Sequence, residues 1–439
     1  MLRKIVKSLI PRKLFRAIEP YGHLAESILW NVAEGFPTRG LKVIGVTGTD
    51  GKTTTSTMIY TMMNEAGVKT GLMTTIGYGT PGNWRNNMVH MTTMPTRAML
   101  KRIKQLKAEG AEWLVLETTS HALAQYRVWG VRYSVAVMTN VTHEHLDYHG
   151  TFERYKAAKL KLFRAVGSWR GGLRAGIVNA DDAAAAEFVA AVPRSISYGI
   201  KAGSLRPTGV VSSADGSEFD TEYQGKKLHL RVNLPGEFNV LNALAAAGVG
   251  LTVGLTPEQI EKGLAALDGV PGRLTTVDEG QDFAVIVDFA HTPASFEKIL
   301  TQMRPLTKGR LIVMFGSAGR RDETKRAVQG RFAGQLADLV IVTEEDNRDV
   351  DGAGIMEQIA GGAEAAGKTR GENLLLVSDR SEAIRRAVDL ATPGDTVLLL
   401  GKGHETTIER ADGEHPWDEV AEARAALRAS REFTYLASK

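Results

Sequence analysis

Two hydrophobic periods alternate along the chain, and their alternation outlines an α/β protein. Short apolar runs rich in β-branched residues at 42–46, 113–116, 135–139 and 175–178 read as strands buried on both faces. Helix-period segments separate them. From residue 41 to about residue 270 the pattern is therefore βαβ, with a mainly parallel sheet. Residues 202–234 break the rhythm: they are Gly- and Ser-rich, alternate polar with apolar positions, and predict an antiparallel excursion. An Ala-rich helix is expected over 239–251. The turn cluster Gly269-Val-Pro-Gly-Arg273 marks a boundary. A second α/β block follows, with strands near 284–288, 310–315, 339–343, 373–377 and 396–400. The expected organisation is a short helical segment (1–40), a central domain (41–271) and a C-terminal domain (272–439).

The first residues carry a pattern of their own. Leu2, Ile5, Val6, Leu9 and Ile10 recur at helical spacing, with Arg3, Lys4 and Lys7 on the other face. Pro11 interrupts the pattern before Arg12, Lys13 and Arg16. The apolar stretch is too short and too broken for a signal peptide. Two readings fit residues 1–20: a basic amphipathic helix in peripheral contact with an anionic membrane, or a helix docked on the protein's own body.

Composition narrows the class. At 439 residues the chain calls for two or three cores. A hydrophobic content of 43% with 24% charged residues is that of a water-soluble protein, and a cytoplasmic location is expected. The net charge of +4 comes from interspersed signs without a basic, aromatic-rich stripe, so nucleic acid is not an expected partner. The absence of cysteine excludes disulfides, zinc–thiolate sites and a thiol nucleophile. There is no apolar run of about eighteen residues, the minimum for a spanning helix.

Chemistry concentrates first in Lys42-Val-Ile-Gly-Val-Thr-Gly-Thr-Asp-Gly-Lys-Thr-Thr-Thr55. An apolar strand enters a glycine-rich turn and leaves through Lys-Thr-Thr into a helix. Backbone N–H groups of such a loop and helix start point at phosphate oxygens. Lys52 is placed for the terminal phosphates and Thr53 for Mg²⁺, and Gly48, Thr49, Asp50, Gly51 and Thr54 complete the cradle. The spacing departs from the standard P-loop, because Val46 stands where its first glycine would be, flanked by Gly45 and Gly48. Glu117 ends the next apolar strand. A carboxylate there can hold Mg²⁺ or cap the following helix. The strand after that runs into Thr139-Asn-Val-Thr-His-Glu-His-Leu-Asp-Tyr-His149. Three histidines, two acids and Asn140 in so short a stretch favour a metal or phosphate site over a solvated loop.

With these strings on the page, a family likeness follows. G-T-D-G-K-T-T-T, E-T-T-S-H, T-N-V-T-H-E-H-L-D-Y-H-G-T, Y-K-A-A-K-L-K-L-F, L-P-G-E-F-N-V-L-N-A, V-P-G-R, D-F-A-H-T-P and G-K-G-H-E occur in order from about residue 41 to the C-terminus. Together they resemble the Mur ligase family, most nearly its tripeptide-synthetase (MurE) type. The resemblance implies a P-loop-type ATPase domain with a mainly parallel sheet, followed by a Rossmann-like α/β domain. It implies an ATP-dependent ligase of peptidoglycan precursor synthesis that adds diaminopimelate or lysine to a muramoyl-dipeptide-like acceptor through an acyl phosphate. By the same resemblance Lys52, Glu117, His145 and Lys159 are catalytic. Thr53, Glu117, His145 and a carbamylated Lys159 hold two Mg²⁺ ions, the carbamate deriving from CO₂. Asn140, Asn242, Arg273, Asp288 and His291 serve the nucleotide, with Phe289 where the family has Tyr. Thr92, Thr93, Ser120, Gln125 and Arg127 hold the acceptor, and Asp346, Arg348, Gly401 and Glu405 read the incoming amino acid.

Two departures qualify the likeness. The family's D-N-P-R string aligns here with Glu345-Asp-Asn-Arg348. Arg348 thus retains a cation for a distal carboxylate, while Asp346 would favour a bare ammonium. About forty residues precede the ATP loop, too few for the family's UDP-binding domain, so that handle is expected to be missing or replaced. A monomer is expected. Two other readings remain: a related ligase with a different acceptor, resembling folylpolyglutamate or cyanophycin synthetases, or a nucleotide-binding scaffold without activity.

Overall fold

The computed structural model describes residues 12–87, 91–213 and 216–437. The amphipathic run from Leu2 to Ile10 lies outside the described residues, as does the side chain of Asp147. The chain falls into two compact units, Met1–Asn233 with Glu237–Asp268, and Leu234–Gly236 with Gly269–Lys439.

The first unit is built on eight strands: β1 (Lys42–Thr47), β2 (Thr70–Met73), β3 (Gly77–Thr80), β4 (Asn83–Asn86), β5 (Trp113–Glu117), β6 (Tyr133–Met138), β7 (Ala175–Asn179) and β8 (Arg194–Tyr198). Their order is β4-β3-β2-β5-β1-β6-β7-β8. The run from β2 to β8 is parallel, and β3 and β4 add an antiparallel edge. Val43, Ile44 and Val46 are fully buried, as the unbroken apolar pattern of β1 requires of a strand covered on both faces. Register aligns the carboxyl ends of the central strands: Val46 lies opposite Glu117, and Thr47 opposite Met138. The loops after β1, β5 and β6 therefore emerge side by side, where ligands of open α/β sheets bind.

The edge strands β3 and β4 were not expected. Gly-Tyr-Gly-Thr and Asn-Trp-Arg-Asn carry little β-branched content, and their strand state comes from pairing with each other and with β2. The excursion over 202–234 is a three-stranded antiparallel sheet, β9 (Thr208–Ser213), β10 (Gly216–Tyr223) and β11 (Lys226–Val232). The helix Arg12–Ala33 docks on the unit through Ser27, whose hydroxyl bonds Thr96 Oγ1 and the Tyr126 carbonyl, and through Asn31, which donates to the Trp129 carbonyl. Its far side leaves Tyr21, Leu29 and Val32 exposed. Among the described residues no helix is long and apolar enough to cross a membrane.

The second unit holds β12 (Thr275–Thr276), β13 (Ala284–Asp288), β14 (Leu311–Phe315), β15 (Leu339–Val342), β16 (Leu374–Leu376) and β17 (Thr396–Leu400), in the order β12-β13-β17-β14-β15-β16. All pairs but β12–β13 are parallel. Asp288 lies opposite Leu400 and Phe315 opposite Val342, so the loops after β13, β14, β15 and β17 share one edge. A hairpin, β18 (Thr407–Arg410) with β19 (Gly413–Pro416), follows β17. Beneath this edge the Arg380–Glu419 pair is fully buried at 2.6 Å. Arg380 also donates to the carbonyls of Glu344 and Leu400, tying the ends of β15 and β17 together.

Candidate functional site

In the first unit the loop between β1 and the helix Lys52–Glu65 is held from below by the end of β6. Asn140 Oδ1 accepts from the N–H groups of Thr49 (3.2 Å) and Asp50 (2.9 Å), and Thr139 Oγ1 donates to the Asp50 carbonyl at 2.6 Å. Asn140 thus splints the loop's backbone. Two glycines are sterically required. A Cβ on Gly48 would stand 1.7 Å from Thr139 Oγ1, and one on Gly51, at φ +78°, would stand 2.5 Å from Asn242 Oδ1. Asn242 also accepts from Thr55 Oγ1 at 3.1 Å, so it braces the first helical turn. The helix begins at Gly51 with no side-chain cap, which leaves its leading N–H groups and positive dipole end for an anion. Lys52 Nζ folds back onto the Thr49 carbonyl at 2.6 Å.

Glu117, 1% exposed, is the centre of an oxygen cluster. Its Oε2 accepts from Thr53 Oγ1 (3.0 Å), Thr75 Oγ1 (3.0 Å) and Thr75 N–H (2.9 Å). Thr75 also bonds Thr92 Oγ1 at 3.0 Å. A hydroxyl and a carboxylate are the hard oxygen donors Mg²⁺ takes. Among the described residues no group of three or more His, Asp or Glu side chains is arranged to hold a metal.

In the histidine-rich loop the rings pack against one another and against neighbouring aromatics. The His121 ring meets His145 edge-on at 4.7 Å and Tyr148 at 4.5 Å, His143 stacks on Phe152 at 4.6 Å, and His149 Nε2 bonds Ser120 Oγ at 3.1 Å. His145 has a left-handed backbone, φ +54°, and its Nε2 lies 3.7 Å from Glu144. Lys159 is 1% exposed on the helix Phe152–Ser168, donates to the Gly48 carbonyl, and lies 4.4 Å over the Tyr155 ring. Burial, reinforced by the Lys52 charge, holds its amine well below the ordinary lysine range.

The residues expected to hold the acceptor converge after β5. Thr93 Oγ1 donates to the Glu117 carbonyl at 3.0 Å and accepts from Thr119 N–H at 3.0 Å. Arg127 donates to the Thr93 and Met94 carbonyls and to Gln125 Oε1 (2.8 Å). Gln125 and Arg127 line a cavity of about 200 Å³ together with Thr96, Pro95, His23 and Glu26.

In the second unit Asp288 braces a turn, accepting from Leu274 and Ala290 N–H groups. Arg273, His291 and His404 gather round Phe289 at 4.8, 4.5 and 4.8 Å. Arg273 Nε and His404 Nδ1 are buried without a hydrogen-bond partner, donors or acceptors that a ligand can satisfy. Burial, with Arg273 adding repulsion, pushes the His404 imidazole down to about 3.

The expected amino-acid readers meet at one edge of this unit. Arg348, φ +57°, donates from Nε to Glu409 (2.6 Å) and from one terminal nitrogen to the Gly319 carbonyl (2.6 Å). Its other terminal nitrogen is 4.0 Å from Asp346. Lys402 Nζ sits between Asp346 (2.8 Å) and Glu405 (2.7 Å). Burial opposes charge on all three. The two carboxylates nevertheless raise Lys402, and Lys402 with the Glu409 N–H holds Asp346 below its usual range, while burial keeps Glu405 above its own. Asp346 is thus paired with Lys402 within the protein. A Cβ on Gly401 would stand 2.8 Å from Glu345 Oε2.

Sequence reasoning missed Thr75, Lys402 and Glu409. Lys402 lies inside the G-K-G-H-E string and was within reach. Thr75 and Glu409 act across 42 and 61 positions of sequence, and no local pattern announces them.

Comparison with known proteins agrees with this geometry. The Mur ligase middle-domain model matches residues 46–250, and the Mur ligase glutamate-ligase-domain model matches 272–403. A UDP-N-acetylmuramyl-tripeptide synthetase of Roseiflexus sp. (strain RS-1) is 42% identical over 405 residues, covering 90% of this chain and 80% of that protein. A UDP-N-acetylmuramoyl-L-alanyl-D-glutamate–2,6-diaminopimelate ligase of Syntrophomonas wolfei is 41% identical over 374 residues, 84% of this chain and 75% of its own. A solved diaminopimelate ligase of the same name superposes with TM-score 0.64 at 29% identity, covering 89% of this chain and 79% of that one. Two domain models that together span most of the chain, and relatives 42% and 41% identical over most of its length, show that this chain belongs to the Mur ligase family.

Proposed function

We propose that the protein joins diaminopimelate to the carboxylate of a muramoyl-dipeptide-like acceptor at the expense of ATP. It is an ATP-dependent acid–amino-acid ligase of peptidoglycan precursor synthesis, and a cytoplasmic location follows from its need for ATP. The observation that carries the reading is the Thr53–Glu117 contact beside the uncapped start of the helix Lys52–Glu65.

The acceptor carboxylate attacks the γ-phosphate, ADP leaves, and the acyl phosphate remains. The amino group then attacks the acyl carbon, and the tetrahedral adduct expels phosphate. Positioning and charge neutralisation carry such steps. The backbone of residues 48–51 and the first helical turn cradle the phosphates, and Lys52 swings from the Thr49 carbonyl onto the terminal ones. Thr53 and Glu117 would hold Mg²⁺, which when bound neutralises charge on the transferring phosphoryl group. Lys159, whose amine burial holds well below the ordinary lysine range, takes up CO₂ and releases a proton, becoming an anionic carbamate at the floor of the same loop. His145, 6.2 Å from the Tyr155 ring that Lys159 covers, is the further expected metal ligand. Thr92, Thr93, Ser120, Gln125 and Arg127 orient the acceptor, whose carboxylate end faces the Glu117 side. In the second unit Arg273 and His291 serve the nucleotide, Asp288 acts through the backbone turn it holds, and Arg348 with Gly401 and Glu405 receives the amino acid; in the first unit Asn140 acts through the phosphate loop it splints.

Sustained ADP release over many turnovers should require acceptor and amino acid together. Lys52→Ala should lower it by about 10²–10³-fold, the scale of removing one preorganised charge stabiliser, with an unchanged circular dichroism spectrum. Undiminished turnover in that variant would show that the phosphate site lies elsewhere.

A further inference from the structure

The internal ammonium of Lys402 has a consequence for amino-acid choice. It is 1% exposed, lies within 2.8 Å of Asp346 and 2.7 Å of Glu405, and so satisfies both carboxylates from inside the protein. The Asp346 carboxylate is further tied down by the Glu409 N–H at 3.0 Å, and Glu409 in turn holds Arg348 through its side chain and through its carbonyl, which accepts from the Arg348 N–H at 2.9 Å. The loop 346–348, the loop 401–405 and the hairpin strand β18 are thereby one charged assembly. The second terminal guanidinium nitrogen of Arg348 lies 4.0 Å from Asp346 in the same assembly.

We propose that Lys402 is a specificity-determining residue: a built-in counter-ion that occupies the place a substrate ammonium would take between Asp346 and Glu405, and so discriminates against amino acids whose distal end is a bare cation. The inference rests on the placement of the amino-acid site at Arg348 and Glu405. A lysine substrate brings its distal ammonium to carboxylates already paired, beside a like charge in a partly desolvated site, where such charges repel strongly. Diaminopimelate brings a distal end that carries both charges. Its carboxylate can pair with Arg348 and face Lys402, which offsets the repulsion on its ammonium. Asp346, which alone would invite lysine, is converted by Lys402 into part of the barrier against it.

The experiment compares kcat/KM for diaminopimelate and for lysine in the full chain, with ATP and acceptor saturating. The wild type should favour diaminopimelate. Lys402→Met leaves Asp346 and Glu405 without their counter-ion, and the ratio should move toward lysine by about tenfold or more, while Lys402→Arg should keep the wild-type preference. A purely structural role would lower both rates together and leave the ratio within about twofold, and that result overturns the proposal. So does a wild type that favours lysine. If Lys402→Met does not fold, Asp346→Asn/Lys402→Met removes both charges, keeps Glu405 unpaired, and must show the same shift. Arg348→Ala separates the two layers: an unchanged KM for the amino acid in that variant defeats the site assignment itself, whereas a raised KM there with an unmoved ratio in Lys402→Met defeats only the role of Lys402.

Discussion

A buried lysine amine has few stable states, and Lys159 illustrates which are open. Its neighbours are the Gly48 carbonyl, the Tyr155 ring and, electrostatically, Lys52. Burial costs the ammonium its hydration and Lys52 adds repulsion, which together outweigh the attraction of Glu144, Asp50 and Asp182 and lower the amine's pKa well below the ordinary lysine range. Only the neutral amine captures CO₂, and the resulting carbamate exchanges repulsion with Lys52 for attraction, against the opposing charges of Glu144, Asp50 and Asp182. Since the folded-state pKa lies below the unfolded one, falling pH protonates the amine and the carbamate is lost on the acid side. Activity should therefore decline as pH falls and recover on returning upward, and isotopically labelled bicarbonate should give a carbamate carbon resonance that Lys159→Ala lacks. That variant should lose about 10²-fold or more in turnover, with partial rescue by short carboxylates that replace the anion. Full activity in Lys159→Ala would make the residue a structural donor to the phosphate loop and nothing more.

Between elements, the Arg380–Glu419 pair has the largest stake. Both side chains are fully buried, Trp417 Nε1 donates to the same carboxylate at 2.7 Å, and the guanidinium binds the carbonyls that end the Glu344 and Leu400 segments. Glu419→Ala leaves a buried cation unpaired. The second unit should lose about 3–5 kcal/mol, read as a lower denaturant midpoint of its transition by Trp417 fluorescence. A midpoint equal to wild type would mean that water or Glu344 replaces the lost partner at no cost. This pair also marks the limit of what the sequence discloses about elements. Strands such as β1, β5 and β17 announce themselves because burial on both faces demands continuous apolar residues. The phosphate loop is legible because its parts are contiguous. β3 and β4 are not legible, because Gly-Tyr-Gly-Thr becomes strand only by pairing. Thr75 on Glu117 and Glu409 on Arg348 escape for a similar reason: each partner is an ordinary residue until the fold brings the other to it.

At the scale of the molecule, two units with separate cores share the work, and heating need not melt them together. That separation lets ligand linkage report which unit owns which site. A ligand that binds only the folded state stabilises it by about 2.7 kcal/mol at a hundredfold excess over its Kd. For a unit of this size each kcal/mol raises the midpoint by about 2–4 °C, so Mg²⁺–ADP should lift the first unit's transition by about 5–10 °C. The effect should depend on the uncapped helix start and the Thr53–Glu117 pair, and so should vanish in Lys52→Ala and Glu117→Ala. Diaminopimelate alone should act on the other transition, through Arg348 and Glu405, and lysine should act on it more weakly because Lys402 already fills the place of its ammonium. Calorimetry of the full chain with each ligand separately tests the division. A nucleotide shift confined to the second unit would place the phosphate site on the wrong half of the molecule, and with it the order of chemistry assigned to Lys52, Glu117 and Lys159.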